Sequence, residues 1–117
     1  MYTITKQFAF SAAHQLHGLR ADHPCSRVHG HNYTVEVELR SEQLDATGFV
    51  VDYNDLALLK QYIDGTLDHR NLNDVLPVQT SAENLARHLY DWCAARWPQV
   101  AAVRVSETPK TWAEYRP

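Results

Sequence analysis

The chain has 117 residues, of which 44% are hydrophobic, and this length predicts one domain over residues 1–117 with a substantial core. A formal net charge of −3 argues against a nucleic-acid partner, and no stretch approaches the roughly 18 apolar residues that cross a membrane. Because two cysteines make no disulfide framework and the first residues do not resemble a secretion signal, we expect a cytoplasmic protein.

The first predicted element is a strand with one buried face. Its apolar residues share one parity, and polar residues occupy most of the other positions. The apolar row consists of Tyr2, Ile4, Phe8 and Phe10. The strand-like run continues to His14, and a loop without periodicity follows, which also contains His17.

A second predicted strand begins with two histidines separated by one glycine. His29 and His31 have the parity of the apolar row that runs from Tyr33 to Leu39, so both imidazoles should point to one side of the strand. Two imidazoles are half of a zinc site, and a third from His14 or His17 would leave one position open, as in catalytic zinc sites. The spacing alone does not choose between His14 and His17.

Cys25 lies in a predicted loop, four residues before His29. A thiol at this distance has two possible roles. It could be a fourth metal ligand, or it could act as a nucleophile or base beside the metal.

Two helices are predicted in the middle of the chain. From Asn54 to Leu67 the apolar residues have amphipathic helical spacing, with Asp52 or Asn54 as the N-cap. The segment 80–83 matches a capping box, which opens a second helix that ends before Pro98. Between the helices lie Asp68 and His69. Neighbours in sequence rarely hydrogen-bond each other directly, so this pair is either an ordinary loop pair or an acid/base pair.

The last predicted elements are a strand from Ala101 to Thr108 and an edge strand from Trp112 to Tyr115. Glu107 continues the apolar row of the first of these, so it lies either at the solvent edge or against a polar ligand. The order ββααββ predicts an α+β domain in which two helices cover one face of a four-stranded antiparallel sheet. Long, apolar outer strands would leave open edges that favour oligomers.

Several motifs resemble, in chain order, those of the 6-pyruvoyl-tetrahydropterin synthase superfamily. They are Phe10–His14, Cys25–Tyr33, Val51–Tyr53, Leu67–His69, Glu83–Ala86 and Glu107–Thr108. The Cys-x-x-x-His-Gly-His spacing resembles the 6-carboxy-tetrahydropterin synthase branch, which belongs to queuosine biosynthesis. The resemblance implies the tunnelling fold, a homohexamer made of two trimers, and active sites at subunit interfaces.

The resemblance also implies a ligand set and a reaction. It implies zinc on His14, His29 and His31. The substrate would be 7,8-dihydroneopterin triphosphate, and the products would be 6-carboxy-5,6,7,8-tetrahydropterin, acetaldehyde and triphosphate. Cys25 would be a base, with the Asp68–His69 pair in the complementary acid/base role. Glu107 and Ser81 would approach the pterin ring.

Two other functions remain open from the sequence. A 6-pyruvoyl-tetrahydropterin synthase would eliminate triphosphate from the same substrate without breaking a carbon–carbon bond. In a non-catalytic, zinc-stabilised interaction domain, Cys25 would close the metal site as a fourth ligand, and the metal would contribute folding free energy.

Overall fold

The computed structural model describes residues 1–117. Its main elements are β1 Tyr2–His14, β2 His29–Ser41, α1 Ala57–Tyr62, α2 Ala82–Ala94, β3 Val100–Thr108 and β4 Thr111–Tyr115. The strands form one antiparallel sheet in the order β1-β2-β3-β4. The predicted α+β class and the ββααββ order are confirmed. None of the helices is long and apolar enough to cross a membrane.

The core lies between one face of the sheet and the two helices. On β2, Tyr33, Val35, Val37 and Leu39 are buried, as their shared parity predicts. They belong to a cluster of 22 buried residues that includes apolar side chains of both helices. The apolar row of β1 is buried only in its second half, since Tyr2 is 51% exposed. His14 therefore lies at the buried end of β1.

The predicted first helix forms as three helical turns of different pitch. A 3-10 turn at Tyr53–Leu56 leads into α1, and a π-helical turn at Ile63–Leu67 follows. Of the two candidate caps, Asp52 is the one used, because its carboxylate accepts a hydrogen bond from the Asn54 N–H at 2.9 Å.

The capping box predicted at residues 80–83 places the N-cap one residue too early, at Thr80. The N-cap of α2 is Ser81, whose hydroxyl oxygen accepts from the Asn84 N–H at 3.2 Å. Thr80 is instead fully buried, beside His14. Trp92 of α2 is half-buried; it stacks on Tyr62 with ring centroids 4.8 Å apart and lies under the guanidinium of Arg96.

One outer strand, β1, is long as the sequence predicts, with 13 residues, whereas the other is short. The outer strand β4 has only five residues. The outer edge of β1 is covered at its metal end by the chain after α1: His69 N–H donates to the Ser11 carbonyl, and Ala13 N–H donates to that of Arg70 at 3.0 Å. The rest of the edge of β1 has no neighbouring strand in the chain.

Candidate metal centre and active site

Three imidazoles converge where β1 ends and β2 begins. The strand register places His14 opposite His29, and His31 follows on the same face of β2. One ring nitrogen of each of the three residues lies within 4.8 Å of the others. His17 is exposed and lies outside this cluster. The structure thus brings His14, rather than His17, to the histidine pair.

Backbone carbonyls orient two of the three rings. His14 Nδ1 lies 2.8 Å from the Thr80 carbonyl oxygen, and His29 Nδ1 lies 2.7 Å from that of Arg27. A carbonyl oxygen can only accept, so both Nδ1 atoms carry the proton. In the neutral rings, both Nε2 atoms then carry a lone pair, the form in which imidazole binds a metal.

These two Nε2 atoms face each other at 3.0 Å. Two lone pairs at this distance repel unless a proton or a metal ion lies between them. Two nitrogens bound to one tetrahedral zinc at about 2.0–2.1 Å are separated by about 3.3 Å, close to the observed distance.

His31 supplies the third nitrogen. Its Nε2 atom is buried and has no hydrogen-bond partner; the nearest charge is Glu107 Oε2, at 3.4 Å. Burial lowers the pKa of His31, although Glu107 acts in the opposite direction. A buried, neutral and unpaired nitrogen is costly unless something binds it, so the three residues fit a metal ion with a further coordination position open.

Cys25 lies at the same end of the sheet, in a 3-10 turn at Pro24–Ser26, and is half-buried. Its carbonyl accepts from the Leu16 N–H at 2.9 Å, two residues after His14. The thiol is not part of the cluster of converging ligand atoms.

Asp68 and His69 do bond to each other, contrary to the expectation for sequence neighbours. His69 has a φ of 58°, and this left-handed conformation is accompanied by a distance of 2.9 Å between its Nδ1 and Asp68 Oδ2. The other Asp68 oxygen accepts from the Ser11 N–H at 2.9 Å. The Ser11 hydrogen bond and then that of His69 lower the pKa of Asp68. Left-handed backbone at a residue other than glycine is uncommon and clusters at functional sites.

The imidazole of His69 is largely exposed to solvent. Its side chain is 82% exposed, and no hydrogen bond joins it to Cys25. It borders an open cavity of about 540 Å³ whose lining also includes Gly30 and His31.

Glu107 lies beside His31, and Ser81 follows Thr80, whose carbonyl bonds His14. Glu107 is 23% exposed and borders a cavity of about 310 Å³ that also includes Glu83 and Trp112. At this position the Glu107 carboxylate is part-buried, with His31 Nε2 3.4 Å away. Ser81 does not line this cavity, and its oxygen caps α2.

Two contributors to the site could not be found from the sequence. The Thr80 carbonyl fixes His14 across 66 residues of chain, and the Arg27 carbonyl fixes His29. Both act through the backbone, so their side chains give no signal. Tyr33 also lies beside the histidines, 5.5 Å from the His31 ring, and its buried hydroxyl has no hydrogen-bond partner.

Comparison with known proteins finds relatives along nearly the whole chain. The family model described as 6-pyruvoyl tetrahydropterin synthase matches residues 3–117. The chain is 37% identical to a putative 6-carboxy-5,6,7,8-tetrahydropterin synthase of Archaeoglobus fulgidus, over 92% of this chain and 90% of that one. It is 36% identical to the 6-pyruvoyl tetrahydrobiopterin synthase of Poecilia reticulata, over 97% and 88%. The solved 6-pyruvoyl tetrahydropterin synthase of Caenorhabditis elegans matches with a TM-score of 0.87 at 28% identity, over 99% and 95%.

Proposed function

The chain belongs to the 6-pyruvoyl tetrahydropterin synthase family, and we propose that within it the chain acts as a zinc-dependent 6-carboxy-tetrahydropterin synthase. It would convert 7,8-dihydroneopterin triphosphate to 6-carboxy-5,6,7,8-tetrahydropterin with release of acetaldehyde and triphosphate. This carbon–carbon lyase reaction would serve queuosine biosynthesis in the cytoplasm, where two free cysteines are stable. The observation that carries the proposal is the convergence of three imidazoles with Cys25 outside the ligand set.

The donor set fits zinc, which favours three neutral imidazoles and keeps a position open in catalytic sites. His14, His29 and His31 would hold the ion. When bound, it would supply Lewis-acid and template chemistry to the vicinal hydroxyls of the substrate side chain. The backbone bonds to His14 and His29 hold both rings in the ligating tautomer before any metal arrives.

Cys25 and His69 are the proposed proton-transfer groups. Cys25 as a thiolate would remove a proton from the substrate side chain. Asp68 accepts at Nδ1 of His69, which leaves Nε2 to hold or release a proton at the complementary position. Since the His69 ring is exposed, we propose that it serves a neighbouring subunit in a homohexamer with active sites at the interfaces.

Glu107 is the proposed recognition group for the pterin. Its two carboxylate oxygens match the ring N–H and the exocyclic amino group as a bidentate acceptor. Trp112, 49% exposed, borders the same cavity and offers an aromatic surface there. The Ser81 oxygen accepts a backbone bond, but its hydroxyl hydrogen remains free to donate toward the ring.

The competing function is that of a 6-pyruvoyl-tetrahydropterin synthase, which the Poecilia relative at 36% identity supports. The short Cys-x-x-x-His-Gly-His spacing favours the carboxy reaction. Product identification after incubation with 7,8-dihydroneopterin triphosphate decides between them. Acetaldehyde and 6-carboxy-tetrahydropterin are expected, whereas a pyruvoyl product without acetaldehyde would overturn the proposal. Absence of turnover, together with unfolding by a chelator, would favour the zinc-stabilised interaction domain.

A further inference from the structure

The chain that follows His14 leaves the sheet but remains paired through side-chain amides. The carboxamide of Asn73 accepts from the Gln15 N–H at 2.8 Å and donates to the Gln15 carbonyl at 2.9 Å. The carboxamide of Gln79 does the same for His17, at 3.0 Å and 2.7 Å. An amide side chain has the same donor and acceptor as a peptide group, so it can replace one residue of a neighbouring strand.

These two pairings continue a ladder that starts inside β1. Outward backbone groups of Ser11 and Ala13 pair with the chain at residues 68–71. Residues 15 and 17 have the same parity, so their outward groups continue the same edge. From residue 11 to residue 17 this edge is therefore bound by the segment 68–79, first through the Asp68 carboxylate and backbone groups and then through the carboxamides of Asn73 and Gln79.

Gln15 and Leu16 also bind the 3-10 turn that contains Cys25. Leu16 N–H donates to the Cys25 carbonyl at 2.9 Å, and the Gln15 side-chain amide donates to the Ser26 carbonyl at 2.9 Å. Asn73 therefore binds the backbone of Gln15, and the side chain of Gln15 binds the turn that contains Cys25. The residue that follows this segment is Thr80, whose carbonyl orients His14.

We propose that Asn73 and Gln79 are positioning residues, whose carboxamides act as a substitute strand for residues 15–17 and thereby fix the Cys25 turn relative to the histidine cluster. Asn73 has the larger effect, because its pairing with Gln15 is half-buried, whereas the pairing of Gln79 with His17 is exposed. For the catalytic consequence this inference rests on the proposed function of Cys25; the structural part does not.

The test compares Asn73→Ala with Asn54→Ala, whose side chain is exposed and makes no hydrogen bond. Hydrogen exchange of the zinc-loaded protein is measured on peptides that cover residues 14–26. In Asn73→Ala, exchange there should be at least tenfold faster, with no change in the strands and with zinc retained. In the proposed reaction kcat should fall at least tenfold while KM stays within twofold, because Glu107 is not disturbed. Asn54→Ala should change none of these quantities.

Asn73→Asp tests the pairing itself. Aspartate keeps the acceptor for the Gln15 N–H but places a second oxygen against the Gln15 carbonyl, so it should behave no better than alanine. Gln79→Ala, with Gln61→Ala as its control, should increase hydrogen exchange at residues 14–26 less than Asn73→Ala does, again without a change in the strands.

Unchanged hydrogen exchange at residues 14–26 in both Asn73→Ala and Gln79→Ala would overturn the proposal. A wild-type exchange rate in Asn73→Asp would overturn it too. A kcat loss that only parallels lost zinc or global unfolding would also overturn it. If the wild-type protein proves inactive on the pterin substrate, the function proposal fails, while the exchange experiment still decides the positioning role.

Discussion

Glu38 offers a quantitative test of what stabilises the sheet. It is the only buried acidic residue, and three arginines surround it. Arg116 binds it with two nitrogens at 2.8 and 3.2 Å, Arg104 at 2.7 Å and Arg40 at 2.9 Å. The hydrogen bond from Arg116, against the opposing effect of burial, and the one from Arg104 lower the pKa of Glu38 from 4.5 to about 2. The network joins β2, β3 and the residue after β4, so it helps to fix β3, on which Glu107 lies.

This pKa difference sets the size of the expected effect. Two and a half pH units correspond to about 3 kcal/mol of folding free energy. The side chains of Arg40 and Arg116 are 44% and 33% exposed, so solvent screens their interaction with Glu38. We therefore expect Glu38→Gln to lower the free energy of unfolding by about 2 kcal/mol at pH 7. Because the folded pKa is depressed, the contribution is complete above pH 4.5 and is lost as the pH falls toward 2.

The assay is urea unfolding followed by tryptophan fluorescence, at one fixed protein concentration because the proposed oligomer would dissociate as it unfolds. Glu42→Gln is the matched control, since Glu42 is 75% exposed and pairs only with the N-terminus. The difference in unfolding free energy between wild type and Glu38→Gln should shrink to about two-fifths of its value at pH 7 when the pH is 3. If Glu38→Gln lowers the free energy of unfolding no more than Glu42→Gln does, the network stabilises the fold no more than a solvated ion pair, and the reasoning is wrong.

Three further predictions concern the site. His29→Ala should lose bound zinc, because one of three converging donors is gone, whereas His17→Ala should keep it; metal analysis that gave the reverse pattern would contradict the ligand set. Cys25→Ala should keep zinc and its fold but lose acetaldehyde release, and loss of stoichiometric zinc would instead make Cys25 a ligand. Glu107→Gln should weaken the binding of neopterin by about 2 to 4 kcal/mol, since it turns an acceptor into a donor that faces the pterin's own donors. Calorimetric titration measures this change, and unchanged affinity would remove Glu107 from the pterin site.

Local periodicity explains why the strands and the histidine pair were predictable. The alternation of apolar and polar residues has a period of two in any strand, so it places His29 and His31 on one face before any tertiary contact is known. The parity of Glu107 similarly indicated a carboxylate near the core. In each case the necessary information lies within about ten residues of sequence.

The contacts that choose between alternatives lie outside that range. His14 is preferred to His17 because the register of β1 and β2 sets it opposite His29, and because Thr80 orients it across 66 residues. The capping error has a related origin. Thr80 and Ser81 can both cap a helix, and the burial of Thr80 against His14 leaves the cap to Ser81.

The exposed ring of His69 leads to a prediction about shared active sites. If His69 serves the Cys25 of an adjacent chain, the inactive variants Cys25→Ala and His69→Ala should complement each other. In oligomers reassembled from equal amounts, a site is active only with intact Cys25 on one side and intact His69 on the other, so about a quarter of sites should recover. Acetaldehyde release after joint unfolding and refolding, compared with each variant refolded alone, measures the recovery.

The double variant Cys25→Ala/His69→Ala, refolded with an equal amount of wild type, gives an independent control. With shared sites, random mixing leaves both required residues together in about a quarter of all sites; with self-contained sites, about half of all sites stay active. The fraction of active sites thus differs twofold between the two arrangements, and the experiment does not depend on recovery of activity from inactive parents. Mixed oligomers that stay as inactive as their single-variant parents, together with the value of one half in this control, would show that each subunit holds its own complete site.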